Sequence, residues 1–77
     1  MEDLIKLLID PLVSDPKKIK IEKESDENQT RYIIHIPKED IAKVIGSRGK
    51  MIKAIKNLVK IRAIKENTYA NIEVVEA

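Results

Sequence analysis

The fold of this chain is decided by residues 41–52, IAKVIGSRGKMI, which contain both of its glycines. Apolar residues recur at helical spacing on each side of the glycine pair: Ile41, Val44 and Ile45 before it, and Met51, Ile52 and Ile55 after it. The spacing predicts that one helix stops at Gly46 and that another starts after Gly49. Glycine at position 46 suits a left-handed helix end, and glycine at position 49 suits a place where something approaches the backbone closely.

The connection between these two helices is suited to an anion. A helix N-terminus carries backbone N–H groups without helical partners and a partial positive charge. Arg48 and Lys50 lie beside those groups in this chain. The loop is therefore predicted to bind phosphate.

Length and composition narrow the class of protein. A chain of 77 residues is predicted to form one domain, residues 1–77, with little room for a buried catalytic cleft. It has no cysteine, which excludes disulfides, thiolate metal sites and a thiol nucleophile. Its first residues lack the features of a signal peptide, and no apolar run approaches the roughly 18 residues of a membrane span, so we expect a soluble cytoplasmic protein.

Charge is segregated along the chain. Residues 1–40 contain seven Lys/Arg and ten Asp/Glu, whereas residues 41–77 contain eight Lys/Arg and three Asp/Glu. All eight of these bases lie between Lys43 and Lys65, a segment with no acid. A basic segment centred on a phosphate-binding loop favours a nucleic-acid ligand, and a solvated lysine surface without a ligand is the alternative.

The remaining pattern predicts six elements in the order helix, strand, strand, helix, helix, strand. Their predicted extents are Glu2–Ile9, Lys18–Lys23, Thr30–Ile36, a short helix opened by residues 37–40 and ended by Gly46, about Lys50–Lys65, and Ala70–Glu76. A polar link, residues 24–29, joins the first two strands as an antiparallel hairpin. This order predicts an α+β fold, a three-stranded mixed sheet with three helices on one face and a crossover between parallel strands.

Alternation assigns the faces of the strands. Tyr32, Ile34 and Ile36 are predicted to share the face of Ile19 and Ile21, and the opposite face receives Arg31, Ile33 and His35. In the long helix the predicted apolar side consists of Met51, Ile52, Ile55, Leu58, Val59 and Arg62 or Ala63. The opposite side consists of Lys50, Lys53, Asn57 and Lys60, with Lys56 off that stripe. Ile61 and Ile64 widen the apolar surface beyond what a core needs, which indicates a surface for a partner.

Enzymatic chemistry is not indicated. His35 is the only histidine and has no second nitrogen or sulfur ligand, so a strand position explains it better than a metal site or a catalytic role. Glu39 and Asp40 fall in the first turn of a helix, where acids favour the helix dipole. We predict no enzyme activity, no metal and no cofactor.

Residues 44–52, VIGSRGKMI, resemble the signature of the K-homology (KH) family: a branched aliphatic residue, isoleucine, Gly-x-x-Gly and a spaced isoleucine, set between two helices. The αββααβ order resembles the type II form that is common in bacteria, and the whole chain is similar to small bacterial proteins with a single KH domain. The resemblance implies the type II KH fold. It also implies binding of about four nucleotides of single-stranded RNA, or less often DNA.

The resemblance also implies roles for individual residues. The sugar-phosphate backbone would be held by Gly46, Ser47, Arg48, Gly49 and Lys50. The bases would rest on an aliphatic groove formed by Ile41, Val44, Ile45 and Ile52. Lys43 and Lys53 would add positive charge, and the strand side of the groove is left open.

Aromatic residues are scarce in this chain. It has no Phe or Trp and only Tyr32 and Tyr69, so stacking of bases on aromatic rings is not its main source of affinity. Weak binding with little sequence specificity is expected. The resemblance implies pairing as a homodimer, or as a heterodimer with a larger KH-containing protein, which would raise apparent affinity. It further implies post-transcriptional regulation connected with cell division, cell shape and envelope growth.

Two other functions are compatible with the residues. One is a helix-turn-helix DNA binder that spans residues 41–65, although its first helix is short and its lysine stripe is poorly equipped to read base edges. The other is a protein-interaction module without a nucleic-acid ligand, whose basic surface is only solvated.

Overall fold

A computed structural model describes residues 1–27 and 29–77 and confirms the predicted α+β class. Its helices and strands are α1 (Glu2–Ile9), β1 (Lys20–Ser25), β2 (Thr30–Ile36), α2 (Lys38–Ile45), α3 (Lys50–Lys65) and β3 (Ala70–Glu76). Single 3-10 turns occupy Asp10–Leu12, Pro16–Lys18 and Ser47–Gly49. Four of the predicted elements, α1, β2, α3 and β3, have the predicted bounds.

The first strand differs from its prediction of Lys18–Lys23. Lys18 belongs to the turn Pro16–Lys18, in which Asp15 Oδ1 accepts the N–H of Lys17 at 3.0 Å. Asp followed by Pro therefore extends the connection by two residues before the strand begins. At its other end β1 continues to Ser25, which pairs with Thr30. Asn28, part of the predicted polar link, lies outside the described residues.

The sheet has the order β1-β2-β3. β1 and β2 are antiparallel, with Ile21 opposite Ile34, whereas β2 and β3 are parallel, with Tyr32 opposite Ile72. The link from β2 to β3 through α2 and α3 is thus the predicted crossover between parallel strands, and β3 forms one edge of the sheet. This arrangement is consistent with the type II KH fold.

One face of the sheet forms the core with all three helices. The buried cluster consists of Ile5, Ile9, Tyr32, Ile34, Ile36, Val44, Ile55, Val59 and Ile72, with Ile19 and Ile21 packed against it. The opposite face carries Arg31 and His35 as predicted. Arg31 Nη2 lies 2.7 Å from Glu24 Oε2, and His35 Nε2 lies 3.1 Å from Glu22 Oε1. The single histidine therefore lies beside a carboxylate on the sheet face opposite the helices.

Asp40 attaches α2 to the segment that follows α1. Its side chain is buried, and its two oxygens accept hydrogen bonds from Ser14, at 2.9 Å from the hydroxyl and 3.2 Å from the backbone N–H. Lys43 Nζ lies 3.7 Å from Asp40 Oδ1. The sequence indicated only a dipole role for this acid, because a contact across 26 positions leaves no local signal. Asp40 fixes the helix that leads into the glycine loop.

The ionisation of Asp40 predicts acid sensitivity. Burial alone favours its protonated form, but the Ser14 hydrogen bonds and the Lys43 ammonium outweigh burial, so the pKa of the Asp40 carboxyl lies below its ordinary 3.8. Its contribution to stability is therefore complete above the ordinary pKa and is lost as the pH falls through the lowered value. Thermal unfolding should give Asp40→Asn a lower Tm than the parent at neutral pH, with the difference shrinking in acid.

Glu39→Gln is the matched control, because Glu39 is the exposed neighbouring acid in the same helical turn. Its Tm should stay within roughly 2–4 °C of the parent throughout, the shift that a surface substitution of about 0.5 kcal/mol gives in a domain of this size. A difference between parent and Asp40→Asn that did not shrink on acidification would contradict the assigned role.

Candidate nucleic-acid interface

Gly46 makes the turn between α2 and α3. Its N–H donates to the Ala42 carbonyl at 2.9 Å, and its backbone angles are φ 77° and ψ 178°. This combination is essentially restricted to glycine. A Cβ at this position would also lie 2.6 Å from the Met51 Cβ and 2.9 Å from the Met51 nitrogen. The first turn of α3 therefore packs directly on Gly46, a close contact that the sequence did not predict at this glycine.

Gly49 has open space instead. Its angles are left-handed, φ 74° and ψ 14°, and a Cβ built there would have no heavy atom within 4 Å outside its immediate neighbours. The conformation explains the glycine, because a left-handed residue with a Cβ costs roughly 1–2 kcal/mol. The open space leaves this stretch of backbone accessible to a molecule from outside the chain.

The loop amides are less free than predicted. Gly49 donates its N–H to the Gly46 carbonyl at 3.2 Å, and Lys50 donates its N–H to the carbonyl of Ser47. These bonds arise because residues 47–49 form a 3-10 turn that continues into α3, a local detail that the glycine spacing does not encode. Attraction for an anion at this loop must therefore come mainly from the side chains and the helix dipole.

Ser47, Arg48 and Lys50 project into solvent around this turn. Arg48 itself has a left-handed backbone, φ 56° and ψ 28°. Such a conformation is uncommon for a residue other than glycine, asparagine or aspartate. The turn thus holds a long cationic side chain at a position where its backbone is strained.

The aliphatic residues beside the loop divide into two groups. Ile41, Ile45 and Ile52 are half-buried, so each retains exposed apolar surface next to the turn. Val44 is 0% exposed and lies in the core. The sequence predicted that Val44 would contact a base, but it has no exposed surface with which to do so.

A cleft of about 240 Å³ lies farther along α3, on the side of β3. Lys56, Asn57 and Lys60 line it from the helix, and Ala70, Asn71 and Ile72 line it from the edge strand. The sequence did not indicate which strand residues would line the predicted groove. This cleft is a candidate for that side. The sequence set Lys56 apart from the cationic stripe, but its spacing of four from Lys60 was a usable signal for a shared helix side.

Two further lysines flank the loop region. Lys53 is exposed, one turn before Lys56 on α3. Lys43 is exposed on α2, although its ammonium lies near the Asp40 carboxylate. Lys43 is therefore partly neutralised within the protein, whereas Lys53 extends the basic row on α3.

Fewer residues of α3 are buried than the sequence predicted for its apolar side. Its buried residues are Ile55, Val59 and Ala63, with Ile52 partly buried. Ala63, and not Arg62, takes the inner position. Met51 is partly exposed, Leu58 and Ile61 are 47% and 54% exposed, and Ile64 is more exposed still. The predicted surplus of apolar surface on this helix is confirmed.

Two features are absent from the described part of the chain: a cluster of metal ligands and a membrane-spanning helix. Within residues 1–27 and 29–77, His, Cys, Asp and Glu form no group of three or more that could hold a metal ion. None of the helices in these ranges has the length and apolar content that crossing a bilayer requires.

The chain is similar over nearly its whole length to a family model and to known proteins. The family model described as "KhpA/KhpB, KH domain" matches residues 2–74. A protein named RNA-binding protein KhpA from Listeria monocytogenes is 34% identical over 76 residues, covering 99% of this chain and 100% of its own length. Proteins of the same name from Clostridium perfringens and Chlamydia trachomatis are 32% and 29% identical, covering 97% and 99% of this chain and 100% and 97% of their own lengths. These are names of RNA-binding proteins and not of enzymes.

The two glycines should respond differently to alanine. Gly49→Ala should lower the free energy of unfolding by roughly 1–2 kcal/mol, the cost of a left-handed backbone with a Cβ. Gly46→Ala should cost more, because its Cβ also collides with Met51. Urea denaturation of both variants measures the difference, and equal losses would contradict the packing of Met51 on Gly46.

Proposed function

The chain belongs to the KhpA/KhpB family of KH domains, and we propose that it binds short single-stranded RNA as one KH domain. The observation that carries this proposal is the open backbone at Gly49, flanked by exposed Arg48 and Lys50 and by half-buried isoleucines. The name of the relatives, RNA-binding protein KhpA, supports the same ligand. No reaction is involved, so the function is recognition alone.

The proposed site has a part for the RNA backbone and a part for the bases. Residues 46–49 hold the sugar-phosphate backbone, because glycine permits close contact and Arg48 supplies charge. Lys50, Lys53 and Lys43 add positive charge around them. The bases lie over Ile41, Ile45 and Ile52, with Val44 as support beneath. Phosphate contacts of this kind make affinity fall as salt rises.

The strand continues along the cationic side of α3 in this proposal. Lys56 and Lys60 provide charge there, and Asn71 on β3 provides a polar group for a base edge. The edge of β3 thereby becomes the second wall of the groove.

Pairing of two KH domains is the second part of the proposal. Met51, Leu58 and Ile61 recur at spacings of seven and three on α3, so they form one exposed apolar row. We propose that this row contacts a second KH domain, in another copy of this chain or in a larger KhpB-like protein. Two linked sites would compensate for weak binding at each one through effective concentration.

The cellular setting follows from the resemblance alone. We propose a cytoplasmic protein in post-transcriptional regulation, connected with cell division and envelope growth. Crosslinking and sequencing the RNA bound in cells would test this proposal directly. Recovery of duplex DNA in place of RNA would favour the helix-turn-helix alternative, and recovery of neither would favour a protein-interaction module.

Charge reversal in the loop should abolish RNA binding. Ser47→Asp with Arg48→Asp puts two carboxylates where phosphates are proposed to lie, and aspartate tolerates the left-handed backbone at position 48. Fluorescence anisotropy with labelled single-stranded RNA should give at least about a hundredfold loss of affinity, as expected when several phosphate contacts are replaced by repulsion. Circular dichroism should remain that of the parent.

A matched control separates the loop from net charge. Ser25→Asp with Lys17→Asp makes the same change of net charge at exposed positions on other elements. This control should bind RNA within a few-fold of the parent. Equal losses of RNA affinity for the two double variants would mean that the loop is not the specific site.

The parent should also bind single-stranded RNA more tightly than duplex DNA at both low and high salt.

Disruption of the apolar row should separate paired domains. Leu58→Glu with Ile61→Glu introduces charges that cannot be buried in an interface without a large desolvation cost. Sedimentation equilibrium should give a dimer for the parent and a monomer for this variant, because the affinity of dimerisation falls at least about tenfold, the range of an interface anchor. Leu7→Glu, at an exposed leucine on α1, is the control and should leave the dimer unchanged.

A further inference from the structure

A second cleft, of about 350 Å³, lies at the end of α3 that is remote from the glycine loop. Its walls are the last turns of α3, the turn that follows, the start of β3 and the end of the link before β2. Its lining includes Gln29, Lys60, Ile64, Thr68, Tyr69 and Asn71. This cleft combines an aromatic ring, an aliphatic side chain, amides and a cation.

Tyr69 presents its ring to solvent from a fixed backbone. The ring belongs to a side chain that is 74% exposed. The Tyr69 carbonyl accepts the N–H of Thr30 at 2.8 Å, at the point where β2 and β3 begin to pair, and the N–H of Thr68 donates to the Ala63 carbonyl at 2.9 Å. Exposure of this ring therefore does not come from a loosely attached segment. An ordered, uncovered aromatic face is suited to stacking.

We propose that this cleft binds a base of the same single-stranded RNA, beyond the nucleotides held at the glycine loop. The base stacks on Tyr69 and contacts Ile64 with its other apolar surface. This inference rests on the proposed function and adds one stacking position to a protein otherwise poor in aromatic residues. Stacking on aromatic side chains is sequence-tolerant because every base has a π-face.

The amides on the cleft wall can contact the edge of the base. Asn71 Nδ2 donates to Gln29 Oε1 at 2.9 Å, which joins β3 to the residue before β2. Gln29 has an amide NH2 and Asn71 has a carbonyl oxygen that this bond does not use. The pair therefore presents a donor and an acceptor, the groups that hydrogen-bond a base edge.

Charge favours a nucleic acid over an apolar protein segment as the occupant. Lys60 lines this cleft and also the Lys56 cleft, and Asn71 is likewise common to both, so the two are adjacent. Lys53, Lys56, Lys60 and Ile64 follow one another at spacings of three and four along one side of α3. Among the described residues that line the cleft, none is acidic. A basic row thus leads from the glycine loop to Tyr69.

The length of α3 determines which nucleotide reaches the cleft. Its 16 residues span about 24 Å at about 1.5 Å per residue. The clamped nucleotides are proposed to lie at the start of this helix, whereas the Tyr69 cleft lies at its far end. The base at Tyr69 therefore belongs to a strand longer than the four nucleotides that a KH loop clamps.

The test compares RNA lengths with Tyr69 variants of the full chain. Oligouridine and oligoadenosine, each as a tetranucleotide and as a decanucleotide, are titrated against the parent, Tyr69→Ala and Tyr69→Phe by fluorescence anisotropy. Tyr69→Ala should weaken decanucleotide binding about tenfold, in the range measured for one stacked base, and should leave tetranucleotide binding unchanged. Tyr69→Phe keeps the ring and should bind like the parent. Leu7→Ala removes exposed apolar surface elsewhere and should have no effect.

Nuclear magnetic resonance gives a direct readout of the ring. The ring resonances of Tyr69 should shift when decanucleotide is added to the parent, whereas those of the buried Tyr32 should not. Decanucleotide affinity that is equal in the parent and in Tyr69→Ala would overturn this inference and leave the proposed function intact. A weaker dimer in Tyr69→Ala, with RNA affinity unchanged, would assign the cleft to a protein partner and overturn it as well. Failure of the parent to bind either length would overturn both proposals.

Discussion

The packing of Met51 on Gly46 is the constraint on which the rest of the structure depends. α2 ends and α3 begins within four residues, and both helices must still cover the same face of the sheet. A backbone conformation restricted to glycine supplies the required turn, and the absent Cβ supplies the space that Met51 fills. With the helices in contact, Val44 on α2 and Ile55 on α3 reach the same core cluster. The loop is then held at the surface as a rigid projection.

The same packing separates the apolar surface of α3, which faces the core, from its charged surface. Residues that point inward from α3 join the core, so every charged residue of this helix must lie on its outer sides. No acid interrupts the basic segment, and Lys53, Lys56 and Lys60 form a row that begins next to the loop. Ten of the 13 acids of the chain lie in residues 1–40, and three of them contact Arg31, His35 or Lys43. The net charge of +2 therefore conceals a strongly basic side.

Sequence alone was sufficient where a residue type has one structural use. Two glycines bounded by helical periodicity gave the turn, and alternating isoleucines gave the strand faces, because both signals are local. Sequence failed where the outcome depends on a neighbour that is distant in the chain or on turn details. The Asp15–Pro16 turn delayed β1, and Ser14 explains why Asp40 is buried. Val44 and Ile45 are equally apolar, and only the packing of α2 on the sheet decides that one is enclosed and the other half-exposed. The cleft at Tyr69 was missed because its walls come from residues 60–71 and from Gln29, which are far apart in the sequence.

Arg48 gives the strongest argument that the loop serves a ligand. Its left-handed backbone costs roughly 1–2 kcal/mol for a residue with a Cβ, and glycine would remove that cost. A structural reason for arginine would be an internal partner, but in residues 1–27 and 29–77 its guanidinium has no ion pair. No ion pair of this guanidinium among the described residues therefore offsets the backbone strain at Arg48. Since the planar guanidinium is well matched to phosphate oxygens, the cost is explained if the partner of Arg48 is the backbone of a nucleic acid.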